Sequence, residues 1–177
     1  MRHFFILFLL LVHLVTIKSQ EIFLSTLEGR LFSLNLDNCS TSAIGNMPVS
    51  STDISFHPNG LLYAVTGNGR LYEINVMTGG STLIYTFEQN ASQLYTALTI
   101  SAEGFFYASG LDGDLWRYDF DSDNGVLLGN IGYAAEGDLT FYEGQLYMAA
   151  EDDNIVLVDI ENPSNSSIAI NGNVTGR

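Results

Sequence analysis

The chain has 177 residues and carries 20 acidic side chains against six basic ones, which gives a net charge of −14. A protein of this charge repels phosphate backbones, which makes nucleic acid a poor partner. Hydrophobic residues make up 46% of the chain, enough for one packed domain. With 17 glycines and only three prolines, the composition is that of an ordered, turn-rich β protein.

The first 19 residues differ from the rest of the chain. Arg2 supplies a basic start, an apolar run over 4–15 is interrupted only by His13, and the small residue Ser19 closes the segment. The apolar run is too short for a spanning helix and is typical of a secretory signal. We expect residues 1–19 to be a cleaved signal peptide, with an uncleaved membrane anchor as the alternative. The mature protein is then secreted or at the cell surface, with no membrane span.

A short strand motif occurs four times in the remaining chain. Each copy opens with a turn residue and continues with alternating apolar and polar side chains, the pattern of a strand that leaves a tight turn. The copies begin, at spacings of 40, 44 and 40 residues, with Gly29, Gly69, Gly113 and Asp153. A period of this length with several strands in each repeat is typical of a propeller-like array.

The most complete repeat contains four short apolar runs separated by turns. These runs cover 53–56, 61–66, 70–76 and 81–87. Four antiparallel strands joined by tight turns make one blade of a propeller. We therefore predict an all-β fold for a domain that covers residues 20–177. Its repeats are expected at about 22–50, 51–95, 96–135 and 136–171.

The first repeat lacks its opening run. It enters at 22–26, which is equivalent to the second run of the later repeats, and the polar tail 171–177 is unsuited to replace the missing strand. We predict about three full blades and one partial blade, an incomplete propeller truncated at its C-terminus, with a four-bladed ring as the alternative. Open blade edges favour self-association.

Three segments of the chain resemble one protein family. The segments are 36–40 (LDNCS), 136–148 (EGDLTFYEGQLYM) and 160–167 (IENPSNSS). They are similar to the N-terminal propeller-like region of exported surface proteins of gliding bacteria. Such proteins often continue into immunoglobulin-like modules and a type IX secretion sorting domain. The resemblance covers residues 21–171 and implies a motility-associated binding or adhesive role with no catalytic residues to carry over. The chain departs from the pattern because no sorting domain follows.

A possible turn or metal site follows the third copy of the motif. Asp119, Asp121 and Asp123 alternate, which directs carboxylates to one side of a loop, as calcium requires. However, Gly125 falls one place late for an EF-hand loop, and Asn130 stands where its last glutamate is needed. Aspartate, asparagine and glycine are also ordinary turn residues. The sequence leaves both alternatives open, and calcium is the only cofactor it suggests.

Two aspartates open equivalent strands of the second and fourth repeats. Asp53 and Asp138 occupy this position, with Ala97 at the matching place between them. If these strands line the central channel, the carboxylates could hold a cation or a polar ligand. The alternative is that they accept backbone N–H groups of a neighbouring element. The alanine in the series favours this structural role.

Aromatic residues also recur at equivalent positions. One set is Phe23, Tyr63, Tyr107 and Tyr147, and the other is Phe32, Tyr72, Trp116 and Val156. Aromatic side chains at equal positions of stacked sheets usually pack between the sheets. We predict core residues here, with a sugar-binding platform as the alternative.

The functional prediction is a non-catalytic extracellular binding or adhesion module for a polysaccharide or a protein. The first alternative is a secreted propeller enzyme, such as a metal-dependent lactonase or a lyase. Such an enzyme needs carboxylates and histidines that converge at the channel mouth. Only His57, Asp53 and Asp138 are available for this, because the other two histidines belong to the signal. A spacer without a ligand is the second alternative. The single cysteine, Cys39, excludes an internal disulfide.

Overall fold

The computed structural model describes residues 22–88 and 94–172, so the predicted signal peptide lies outside the described residues. Within these ranges the chain is all-β, with fifteen strands in four antiparallel sheets and a single 3₁₀ turn at Pro163–Asn165. Each sheet is a meander of consecutive strands, as in the blades of a propeller. The predicted fold class is therefore confirmed.

Blade 1 has three strands in the order β1–β2–β3. They are β1 (Ile22–Ser25), β2 (Arg30–Asn35) and β3 (Ser40–Asn46). β1 and β2 correspond to the second and third strands of the other blades. Ile22 pairs with Leu34 in blade 1, just as Leu62 pairs with Ile74 in blade 2. Among the described residues this sheet has no first strand, as the incomplete repeat predicted.

Blades 2, 3 and 4 have four strands each. Blade 2 consists of β4 (Ser51–Phe56), β5 (Leu62–Thr66), β6 (Arg70–Ile74) and β7 (Ser81–Thr86). Blade 3 consists of β8 (Tyr95–Ile100), β9 (Phe106–Gly110), β10 (Asp114–Asp119) and β11 (Asn124–Asn130). Blade 4 consists of β12 (Ala135–Tyr142), β13 (Gln145–Ala150), β14 (Asn154–Val158) and β15 (Ser167–Ile170). β8 and β12 begin one residue before the predicted repeat boundaries.

The first strands of the full blades lie side by side. β4 packs against β8, and β8 packs against β12, so these three strands form the inner edge of the array. The extensive contacts join successive blades, and the array is not closed into a ring. The structure therefore favours the incomplete propeller over the four-bladed ring.

Each blade has two faces, because successive side chains of a strand point to opposite sides of the sheet. We call the side toward the preceding blade the leading face and the side toward the following blade the trailing face. In the second and third strands of blade 2 the leading face consists of Leu62, Ala64, Tyr72 and Ile74, which pack on blade 1. The trailing face includes Tyr63, Val65 and Leu71, which pack on blade 3.

The same two faces meet at the next interface. The trailing face of blade 3 contributes Tyr107 and Leu115, which are 5% and 0% exposed. The leading face of blade 4 contributes Leu146, Met148, Val156 and Val158. One pattern of apolar alternation therefore builds all three interfaces, because the repeat places equivalent side chains at each of them.

Of the periodic aromatic residues, those at the interfaces between described blades form the inter-blade core, as predicted, whereas Phe32 and Tyr147 lie on the outer faces of blades 1 and 4. Tyr63 meets Phe106 edge to face at 4.8 Å between ring centroids, and Tyr107 meets Phe141 in the same way at 5.5 Å. Trp116 is also buried. Edge-to-face pairs of this kind stabilise beyond the area they bury. At the interfaces between blades 2, 3 and 4 the rings Tyr63, Tyr107 and Trp116 are therefore not available as a sugar-binding platform.

The same backbone hydrogen bond recurs in blades 1 to 3. The glycine before the third strand has a positive φ of 74–76° in each of these blades. Its carbonyl accepts the backbone N–H of the residue that follows the fourth-strand run, at 2.6–2.8 Å. The three pairs are Gly29–Met47, Gly69–Phe87 and Gly113–Ile131. Glycine adopts this left-handed backbone without steric cost, so the turn residue of the motif is explained.

Candidate functional site

The predicted channel residue Asp53 ties two blades together. Its Oδ1 accepts the backbone N–H of Ile54 at 2.7 Å, and its Oδ2 accepts the N–H of Leu98 at 2.7 Å. Leu98 lies in β8, the first strand of blade 3. The carboxylate therefore satisfies an inner-edge amide of the neighbouring blade. This is the structural alternative considered for Asp53.

The structure brings Asp138 to Asp53. The two carboxyl groups are close enough to influence each other's ionisation, while Ala97 of the intervening blade is buried. Burial, and then the charge of Asp138, raises the pKa of Asp53 to about 7. Partial desolvation raises the pKa of Asp138. Both carboxyls therefore bind a proton more readily than exposed aspartates do.

This pair makes the stability of the protein depend on pH. A carboxyl whose folded-state pKa lies above its unfolded value binds its proton more tightly in the folded protein, so unfolding free energy rises as pH falls through the folded pKa. We expect a gain of about 1–2 kcal/mol between pH 8 and pH 5, because a pKa unit corresponds to about 1.4 kcal/mol and the pair is partly solvated. Urea unfolding at both pH values measures it.

The Asp53→Asn variant should lose most of this gain, because the carboxyl with the raised pKa is replaced by an amide that does not titrate. The matched control is Asp37→Asn, at an exposed turn of blade 1, which should keep the gain. An equal pH response in the wild-type protein and the Asp53→Asn variant would contradict the raised pKa of Asp53.

The predicted calcium loop begins with a turn cap found in all four blades. At the end of each third strand, a side-chain Oδ1 accepts the backbone N–H two residues later at 2.8–3.0 Å. The four residues are Asn35, Asn75, Asp119 and Asp159. Asp119 is therefore the blade 3 copy of a common turn. It also accepts the hydroxyl of Ser122 at 2.7 Å, and this bond lowers the pKa of Asp119.

The other two aspartates of the loop have separate surroundings. Asp123 has a φ of 49°, and its Oδ1 accepts the hydroxyl of Tyr118 at 3.1 Å. Asp121 is exposed. In the part of the chain that the structure describes, no group of three His, Cys, Asp or Glu side chains is placed to hold a metal ion. Calcium at this loop stays a sequence-based prediction.

A cleft of about 420 Å³ lies beside this turn. Two blades form it, through the turns after β4 and β8 and through the turn after β10. Its lining residues are His57, Asn59, Glu103, Gly104, Phe105, Asp119, Phe120 and Asp121. We call it the turn cleft. Its walls combine carboxylates with aromatic rings, as ligand sites often do.

The floor of the turn cleft is held by close contacts around His57. His57 accepts the backbone N–H of Asn59 through Nδ1 at 3.1 Å, which leaves the ring proton on Nε2. The imidazole stacks on Phe106 with 5.5 Å between ring centroids. A Cβ on Gly104 would lie 2.7 Å from Nε2, so only glycine lets this turn approach the ring. Asn59 in turn accepts the N–H of Leu61 at 2.9 Å.

The side chains at the mouth of the cleft are open to solvent. Phe120 is 46% exposed, and Glu103 and Asp121, which also line the cleft, are exposed. Phe105 is half-buried, with the guanidinium of Arg117 at 5.1 Å from its ring centroid. The lining of the cleft thus combines aromatic rings with carboxylates.

Sequence reasoning missed the turn cleft as a site. It singled out His57, Asp119 and Asp121 for other roles, and it did not consider Glu103 or Phe120. One local signal was available: Phe120 is aromatic where the other repeats carry Leu36, Val76 and Ile160. Its grouping with Glu103 depends on the packing of two blades, which no local pattern encodes.

The residues offered for an enzyme are not assembled in one place. His57 lines the turn cleft, whereas neither Asp53 nor Asp138 does. Asp53 instead accepts the backbone N–H of Leu98 at the inner edge of blade 3, with Asp138 nearby. The structure therefore does not bring His57, Asp53 and Asp138 together in a single centre.

Comparison with known proteins gives no family assignment. No protein-family model matches the chain, and no curated protein matches it. Among the described residues, no helix is long and apolar enough to cross a membrane. Function therefore has to be argued from the chain's own geometry.

Proposed function

We propose that this protein is an exported, non-catalytic binding module that recognises a neutral polysaccharide through the turn cleft. The observation that carries the proposal is Phe120, an exposed aromatic ring that lines the turn cleft together with the carboxylates of Glu103 and Asp121. The signal-like segment 1–19 supports export, and the resemblance to surface proteins of gliding bacteria supports an adhesive role at the cell surface.

The chemistry of the cleft suits a sugar. Carboxylates accept hydrogen bonds from hydroxyl groups, and the Nε2–H of His57 is a donor fixed by the Nδ1 contact. The face of Phe120 provides an apolar surface for the C–H groups of a pyranose ring. A volume of about 420 Å³ falls within the usual range of small-ligand sites.

Charge selects against acidic polymers. Residues 20–177 carry four basic and 20 acidic side chains, a net charge of −16. Two of these acidic side chains, Glu103 and Asp121, line the turn cleft. Uronic acids and sulfated sugars would be repelled, so a neutral glycan is the better fit. Binding of a neutral sugar should also depend little on salt, which distinguishes it from capture of a basic protein segment.

The test compares Phe120→Ala with Tyr142→Ala, a matched removal of an exposed aromatic on blade 4 that is 64% exposed. The exported chain is titrated calorimetrically with laminarihexaose, cellohexaose and mannohexaose. We expect binding to at least one of these neutral probes, weakened about tenfold or more by Phe120→Ala. Tyr142→Ala should leave the affinity unchanged.

Both variants should keep their unfolding midpoint, because exposed positions contribute within about 0.5 kcal/mol. Equal affinity of the two variants would place the ligand elsewhere. Binding that disappears in 0.5 M salt, or binding of a lysine-rich peptide in place of every sugar, would favour a protein ligand and contradict the proposal.

A further inference from the structure

In the part of the chain that the structure describes, the two ends of the array leave one leading face and one trailing face uncovered. We propose that two copies of the chain pair head to tail, with the trailing face of blade 4 packed on the leading face of blade 1 of the second copy. The inference rests on the blade interfaces and not on the turn cleft.

The uncovered trailing face is apolar. On the second and third strands of blade 4 it consists of Tyr147, Ala149, Ile155 and Leu157. All four are half-buried, whereas their blade 3 equivalents Tyr107 and Leu115 are 5% and 0% exposed under blade 4. A depression of about 430 Å³ whose lining includes Leu157 lies on this blade. Ile170, beside Ile155 on β15, extends the surface and is 59% exposed.

The uncovered leading face is apolar too. On blade 1 it consists of Ile22, Leu24, Phe32 and Leu34. Leu24 is 40% exposed, whereas its equivalents Ala64, Ala108 and Met148 are all fully buried against the preceding blade. The guanidinium of Arg30 lies 5.2 Å from the ring centroid of Phe32, and Ile22, Phe32 and Leu34 are half-buried.

A second copy is the occupant that both faces fit. Each of the three internal interfaces joins a trailing face to a leading face, and one chain carries one uncovered example of each. The two cannot meet within a chain whose array is not closed. Contact between different patches on identical chains is heterologous, and repetition gives either a ring or a filament. Contiguous apolar surfaces of this kind mark interaction sites.

The net charge predicts how salt affects the pairing. Two copies of residues 20–177 carry −16 each and repel one another at low ionic strength. Apolar contact between the faces is unaffected by screening, whereas the repulsion is weakened by it. Association should therefore strengthen as salt is raised from 0.05 M to 0.5 M.

Sedimentation velocity on the exported chain tests the proposal through one residue in each face. Leu157→Asp places a charge on the trailing face and Leu34→Asp places one on the leading face. Each variant alone should weaken self-association by about tenfold or more, since it buries an unpaired carboxylate. Met77→Asp, at a turn position that is 81% exposed, is the matched control and should associate like the wild type.

The decisive sample is an equimolar mixture of the two variants. The Leu34→Asp chain keeps an intact trailing face and the Leu157→Asp chain keeps an intact leading face, so the mixture should recover a dimer that neither variant forms alone. Recovery also shows that both variants fold. The milder pair Leu34→Ser and Leu157→Ser provides the same comparison should an aspartate prevent folding.

Three results would overturn the proposal. One is a wild-type chain that stays monomeric at 0.5 M salt and high protein concentration. Another is association lost with Leu157→Asp but kept with Leu34→Asp, which indicates blade 4 packed on blade 4. The third is a mixture in which both variants remain monomeric while the circular dichroism of each matches the wild type.

Discussion

Replacement of Tyr107 by alanine is expected to lower the unfolding free energy by about 3–5 kcal/mol, the range for truncation of a large buried aromatic. Tyr107 is 5% exposed in the core between blades 3 and 4, where its ring meets Phe141 edge to face at 5.5 Å. Burial raises the pKa of its hydroxyl, and the charge of the neighbouring Arg117 opposes this shift. Truncation leaves a cavity between two sheets that cannot collapse without moving a blade.

Urea unfolding followed by the fluorescence of Trp116 and by circular dichroism measures this effect. The control is Tyr142→Ala, because Tyr142 is 64% exposed and its loss should change stability by less than about 0.5 kcal/mol. An unchanged midpoint for Tyr107→Ala would show that this ring is not part of the inter-blade core.

Replacement of Gly113 by alanine is expected to cost about 2–5 kcal/mol. Its φ of 76° lies in the left-handed region, which costs a side chain about 1–2 kcal/mol. The new Cβ would also lie 2.7 Å from the backbone oxygen of Tyr133, and relief of such overpacking costs about 1–3 kcal/mol. The carbonyl of Gly113 accepts the backbone N–H of Ile131 at 2.8 Å. A shift of this turn would therefore weaken the hydrogen bond that is repeated in blades 1 to 3.

Gly144→Ala separates the two causes. Gly144 has nearly the same φ, 78°, yet no atom lies within 4 Å of a Cβ built there. This variant should show only the backbone cost of about 1–2 kcal/mol. Equal unfolding free energies for the two variants would mean that the close approach at Gly113 contributes nothing.

The blade architecture could be predicted because its determinants are local. Turn glycines and strict apolar alternation fix each hairpin, and the 40-residue period fixes the blade. The same comparison of repeats revealed the missing first strand of blade 1. The same comparison also indicated a turn-capping role for Asp119. The equivalent positions carry Asn35, Asn75 and Asp159, and all four side chains cap the same turn.

The contacts between blades could not be predicted in the same way. Asp53 and Asp138 were recognised as equivalent, but their proximity depends on how the first strands of blades 2, 3 and 4 pack side by side. The turn cleft likewise depends on two blades, since Glu103 and His57 come from turns of different blades. The sequence period predicts which side chains share a face of a sheet. The residues that meet at the site also depend on how two blades pack against each other.

The claim that the turn cleft binds a neutral glycan is tested most directly by chemical-shift mapping. The ¹⁵N-labelled exported chain is titrated with the best binding of the three hexasaccharides. The account predicts saturable shifts concentrated at the amides of Glu103, Phe105 and Asp121, with no shifts in β5 and β9, the second strands of blades 2 and 3. Shifts confined to blade 4, or no saturable shift at millimolar sugar, would contradict it.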